Sequence, residues 1–129
     1  MEKPATLQPT KLRIFSEPPA AVSRDGWRFH HLGIPSKTPR PGEHYLERFK
    51  VFVSGFESSQ YGVEWLRYES DSPVPELVRS VPHVAFEVDV LECAIAGKEV
   101  IFPPFSPYPG VRAAMFVENG APVEVLEFS

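Results

Sequence analysis

At 129 residues, with 43% hydrophobic and 23% charged side chains, the chain has the size and composition of one globular domain. A formal net charge of −4 without any basic run leaves a nucleic acid or an anionic membrane nothing to hold, so neither is expected as a partner. No apolar stretch reaches the ~20 residues of a membrane helix, prolines interrupt the N-terminus where a secretory leader would lie, and one cysteine, Cys93, allows no intrachain disulfide; a cytoplasmic protein is expected.

In chain order, residues 1–25 read as an N-terminal arm, either contributing one edge strand at Lys11 to Phe15 or disordered between its prolines. Residues 26–129 form the domain, with module one at about 26–70, a linker at about 71–80 and module two at about 81–129. Trp27 to Ile34 reads as a strand and Pro35 to Pro41 as a loop. Tyr45, Leu46, Phe49 and Phe52 recur at helical spacing, so Gly42 to Phe52 is predicted helical, with a short strand over Val51 to Phe56 as the alternative. Tyr61 to Tyr68 is a strand, and Pro75 opens one helical turn within the linker. Val81 to Val88 is the next strand, and Asp89 is placed to cap a short helix ending near Gly97. A strand over Glu99 to Phe102 leads into an aromatic, proline-rich loop, Pro103 to Gly110. Val111 to Glu118 and Ala121 to Phe128 then form a hairpin about Asn119-Gly120, a pair suited to the two-residue turn that matches strand twist.

The two modules repeat. His31-Leu32-Gly33-Ile34 matches His83-Val84-Ala85-Phe86: a histidine, an aliphatic residue, a minimal side chain, a large apolar residue. Val63-Glu64-Trp65-Leu66-Arg67-Tyr68 matches Val123-Glu124-Val125-Leu126-Glu127-Phe128. The second copy is eight residues longer between its histidine and its glutamate, about a strand plus a turn, so the first module is expected to have lost or shortened a strand. Strand alternation puts each histidine on the face of its small neighbour, with space beside it, and sends His30 to the opposite face. Glu64 and Glu124 stand mid-strand among apolar residues, where an uncompensated carboxylate is costly. A metal ion shared with two imidazoles would offset that cost.

On these segments, over residues 27–128, the chain resembles the vicinal oxygen chelate superfamily of glyoxalases, bleomycin-resistance proteins and dioxygenases. The resemblance implies an α+β fold of two unequal βαβββ-type modules forming a cupped mixed sheet, with helices on the outer face. It implies one divalent metal ion (Zn, Ni, Co, Mn or Fe, not distinguished) held by His31, Glu64, His83 and Glu124, and a homodimer as the expected assembly. Two histidines with two carboxylates resemble the isomerase branch, lactoylglutathione lyase and methylmalonyl-CoA epimerase. The implied function is then a metal-dependent isomerase or lyase acting on a small carbonyl substrate through an enediolate, with Glu124 or Glu64 moving the proton. Two alternatives stand beside it: a non-catalytic small-molecule binder of the bleomycin-resistance type, holding its ligand in an aromatic cup that includes Phe102, Phe105, Tyr108 and Trp65, and an iron-dependent extradiol-type dioxygenase with three protein ligands. The short first module puts Glu64 most in question, because a one-residue slip would turn it outward, where it would pair with Arg67 or Arg79. Arg112 reads as a hairpin residue, His44 as a solvated helix residue and Cys93 as packed on the sheet.

Overall fold

A computed structural model describes residues 15–129. The edge strand expected at residues 11–15 lies outside them except for Phe15, which sits exposed in a turn. A short helix, α1 (Ala20–Ser23), precedes β1 (Arg28–Pro35). The first module continues through β2 (His44–Leu46), a 3-10 turn (Glu47–Phe49), β3 (Val51–Ser54) and β4 (Val63–Tyr68). The linker carries α2 (Glu76–Ser80), and the second module runs β5 (His83–Glu87), α3 (Leu91–Ile95), β6 (Glu99–Phe105), β7 (Val111–Glu118) and β8 (Ala121–Phe128).

The eight strands form one mixed sheet in the order β2-β3-β4-β1-β5-β8-β7-β6. Each module's first strand runs parallel to its last, and the modules join where β1 and β5 pair antiparallel at the centre. The sheet curls into a cup whose two ends meet: Phe49 lies 5.4 Å from Phe105, and Arg48 Nη1 donates to the Ser106 carbonyl at 3.2 Å. The linker plugs the cup, with Val74 and Val78 buried against Met115 and Phe102. The cup therefore closes within a single chain.

One expectation for the first module is corrected and another is resolved. The helix predicted over Gly42 to Phe52 is β2, a 3-10 turn and the start of β3. Its apparent helical stripe divides between the two sheet faces: Leu46 and Phe49 face inward beside Val51, Val53 and Leu66, while the rings of Tyr45 and Phe52 lie 4.6 Å apart, tilted, on the outside. The alternative strand over Val51 to Phe56 is the one formed, ending at Ser54. Of the two outcomes expected for the module's missing length, a lost strand or a shortened one, the second is observed, with all four strands present. Its shortening lies in the crossover, which has no helix, and in β2 and β3, of 3 and 4 residues against 7 and 8 for β6 and β7.

In the second module α3 lies where expected, ending before Gly97 at φ +74°. It has no side-chain cap, however: its N-cap position is Val90, and Asp89, one residue earlier, pairs with Arg28 at 3.0 Å. Leu91 and Ala94 cover the outer sheet face over Ala114, Phe116 and Val125. β6 continues through Pro103 and Pro104 to Phe105, which edge position permits, since proline there withholds no central ladder donor.

Candidate metal centre

The central strands bring the repeat's marks together. Gly33 pairs with Glu64 across β1 and β4, and Ala85 pairs with Glu124 across β5 and β8. In both modules, then, the glutamate sits opposite the residue two beyond the histidine. The eight missing residues have left the register of Glu64 intact. At the module junction His31 pairs with Ala85, and His83 with Gly33. A Cβ at Gly33 would come within 3.0 Å of the His83 ring atoms Cε1, Nε2 and Nδ1, so only glycine leaves that ring its place.

His31 and His83 are buried, their rings 5.5 Å apart and nearly perpendicular. Glu124 Oε1 lies 3.2 Å from His31 Nε2 and 3.3 Å from His83 Nε2. Among the described residues these three form one group able to hold a metal ion, their donor atoms within 4.8 Å of one another. Glu64 faces the same centre from the side, Oε1 3.5 Å from His31 Nε2. Its sequence-level alternative partners are engaged elsewhere: Arg67 binds Glu43 at 2.7 Å, and Arg79 donates to the Val74 carbonyl.

The two carboxylates differ in character. Burial opposes charge on Glu124, but bonds from His31 and His83 outweigh it and bring its pKa down to about 2. Burial also dominates at Glu64, where the imidazoles help less and Glu124 repels, so its pKa is raised. For His31, burial disfavours the cation, yet the bond and charge of Glu124, with Glu64 behind it, raise its pKa. A buried carboxylate bridging two imidazole nitrogens is a donor set that suits a divalent transition metal, since neutral imidazole and carboxylate are its common ligands.

His30 does not face away from the site. The β1–β5 register shifts between Phe29 and His31, a bulge that leaves two successive side chains on the cup side. His30 lines the cavity, stacks 5.0 Å from Phe56, and places Nδ1 2.7 Å from His31 Nδ1. Burial and the neighbouring His31 lower the His30 pKa; the two Nδ1 atoms share one hydrogen bond, whose donor is set by the ring tautomers, and with Nδ1 so engaged His31 directs Nε2 at Glu124. Strict alternation concealed this residue; the doubled His30-His31 was its one signal.

Several other residues depart from expectation. Trp65 belongs to the outer face, beneath Arg40 at 4.5 Å, and not to the cup wall. His44 is solvated but on β2, 3.7 Å from Glu57, and Cys93 is on α3 yet exposed. Arg112 joins Glu92 and Glu127 beside the hairpin, as expected.

Above the histidines and glutamates opens a cavity of about 600 Å³. Its walls are mainly apolar, including Phe49, Val53, Leu66, Phe102, Phe105 and Met115, and the loop after β6 contributes Pro107 and Tyr108. Tyr68 reaches it too, its phenol held protonated by burial and by the charges of Glu124 and Glu64.

No protein-family model matches the sequence, and no curated protein shows significant similarity to it. Solved structures do match. A hypothetical protein from Bacillus halodurans superposes with a TM-score of 0.63 at 19% identity, over 81% of this chain and 96% of that one. Methylmalonyl-CoA epimerase from Mycobacterium tuberculosis superposes with a TM-score of 0.52 at 11% identity, over 79% of this chain and 88% of that one. At these identities the likeness is one of fold. The cupped mixed sheet expected from the resemblance to the vicinal oxygen chelate superfamily is the fold observed. Among the described residues no helix is long and apolar enough to cross a membrane.

Proposed function

We propose that the protein is a metal-dependent isomerase or lyase of the glyoxalase/epimerase type, acting at the carbon beside a carbonyl group in a small-molecule substrate. The observation that carries this reading is the convergence of His31, His83 and Glu124 with a second carboxylate, Glu64, beside them and open to the cavity. His31, His83 and Glu124 would hold a divalent ion, which supplies Lewis acidity toward the substrate's oxygens. Glu64 then acts as general base, taking the proton from the substrate carbon and returning it to the same or the adjacent carbon. His30 holds the His31 ring through Nδ1 and so orients Nε2. The apolar walls exclude water from the carbanionic intermediate. A homodimer in the cytoplasm is part of the same proposal and rests on the family resemblance.

Metal analysis with substitution tests the reading. Purified protein is expected to bind one divalent ion per chain, and His83→Ala to abolish that binding. Wild-type protein that takes up no divalent metal ends the proposal and returns the non-catalytic binding reading.

A second reading has its own support. The tight group is two histidines and one carboxylate, the set used by non-haem iron oxygenases. Oxygen consumption with catechol by the iron-loaded protein would establish it, whereas solvent-proton exchange into a carbonyl substrate without oxygen uptake favours the isomerase.

A further inference from the structure

The cavity carries information about its cargo that the metal centre does not. Among the described residues no lysine or arginine lines it, and apart from Glu64 and Glu124 its one carboxylate is Glu57, exposed at the rim. Nearby arginines are directed elsewhere: Arg67 to Glu43, Arg79 to the Val74 carbonyl, Arg48 to the Ser106 carbonyl. A phosphate or carboxylate carried against these walls would be stripped of water, would find no lysine or arginine among them, and would face two carboxylates at the inner end. The walls favour the opposite kind of molecule. Phe102 and Phe105 stack 4.1 Å apart, Phe49 meets Phe105 edge-on at 5.4 Å, and Val53, Leu66 and Met115 continue the surface. One buried hydroxyl on the lining, Ser54 Oγ, lacks a hydrogen-bond partner. The volume of about 600 Å³ equals that of roughly 20 waters at ~30 Å³ each, enough for a ring-bearing molecule.

We propose that the cup takes an uncharged small molecule with an apolar, ring-sized body and its oxygen atoms at one end, and that it discriminates against cargo with an anionic tail. The body lies against the Phe49–Phe102–Phe105 wall, and the oxygens face His31, His83 and Glu64. This deepens the proposed function and rests on it for the role of the oxygen-bearing end; the preference for a neutral body rests on the walls alone.

Calorimetry with two probes tests it: 1-phenyl-1,2-propanedione, and the same dione with a carboxylate at the para position of the ring. Zinc-loaded wild-type protein is expected to bind the neutral dione at least about tenfold more tightly than the carboxylate, the dione end facing the metal in both and the para anion lacking a partner on the apolar walls. Phe105→Ala is expected to weaken the neutral probe by about five- to tenfold, through lost aromatic contact, with zinc content unchanged. Equal or tighter binding of the carboxylate, or no binding of either probe, overturns the inference. The metal-free His83→Ala variant separates the two proposals. If wild type takes up no metal but both proteins keep the preference for the neutral probe, the metal-dependent reading fails and this one stands. If wild type takes up metal but shows no preference, the reverse holds.

Discussion

Helix α3 covers the outer face of the second module, burying Leu91 and Ala94 over Phe116 and Val125. The first module, with no helix between β1 and β2, lays Arg40 over Trp65 at 4.5 Å and Arg67 over Phe52 at 4.2 Å. Their outer layers differ in kind, yet their inner faces match: each glutamate holds the same register against the neighbouring histidine strand. A sheet's inner face is set by backbone pairing, and a one-residue slip would reverse it. The outer layer needs only to cover apolar surface, and a helix or a few long side chains with apolar stems can do so. The layer that could vary without disturbing the site is the one that did.

The comparison is sharpest where stability is concerned. Leu91 is fully buried, so Leu91→Ala is expected to lower unfolding free energy by ~2–5 kcal/mol. Arg40→Ala, on the exposed layer of the first module, is expected to cost ~0.5 kcal/mol or less. Urea unfolding of both variants checks this; equal losses would mean that the arginine layer is as structural as the helix.

Gly33→Ala probes the inner face. The new methyl group must displace the His83 ring, and divalent-metal affinity is expected to fall by about 10- to 100-fold, the scale at which disturbed ligand orientation is felt. Ala85, opposite His31, already carries a Cβ, so the two modules are unequal here as well. Zinc competition with a chromophoric chelator reads the effect, and an unaltered affinity would show that His83 is not a ligand.

The carboxylates are expected to separate by role. Glu124→Gln removes the negative charge between the two imidazoles and should abolish metal binding, whereas Glu64→Gln should keep the metal within about threefold and lose turnover by about 10²–10⁴, the range for a missing general base. Metal content and solvent-proton exchange, measured on both variants, decide it. Similar metal loss in both would make Glu64 a fourth ligand of equal standing.

The pH dependence separates the two inner-face groups further. Burial works against charge on His31, but Glu124 and Glu64 raise its pKa, so protonated His31 stabilises the metal-free fold. That contribution is complete below the unfolded histidine value of ~6.5 and disappears as pH rises through the higher folded value. Glu124 behaves oppositely: its contribution is present above the unfolded value of ~4.3 and is lost as pH falls toward about 2. A metal must displace the His31 proton, so zinc affinity should rise with pH, by up to about tenfold per unit, until the raised His31 value is passed. A flat profile from pH 6 to 8 would remove His31 from the ligand set.

Much of this was legible in the sequence, because it rests on local chemistry and on period-two alternation. The paired His-x-Gly and His-x-Ala strands, the Val-Glu-x-Leu closings and the Asn119-Gly120 turn define two copies of one module, and each candidate ligand's face follows from counting along its strand. Three matters were settled only by tertiary structure. The stretch Gly42 to Phe52 became a short strand, a 3-10 turn and the start of β3, whose Val51 and Val53 pack beside Leu66, an energy that spacing within the segment cannot display. His30 joined the site through a bulge, which breaks the alternation on which the count depends. Glu64 kept its register because the length difference was absorbed in the crossover and in short outer strands, whereas sequence length alone does not say where a deletion falls. Composition and pattern specify a module from neighbouring residues; the cup and its closed wall depend on strands far apart in the chain meeting across the sheet.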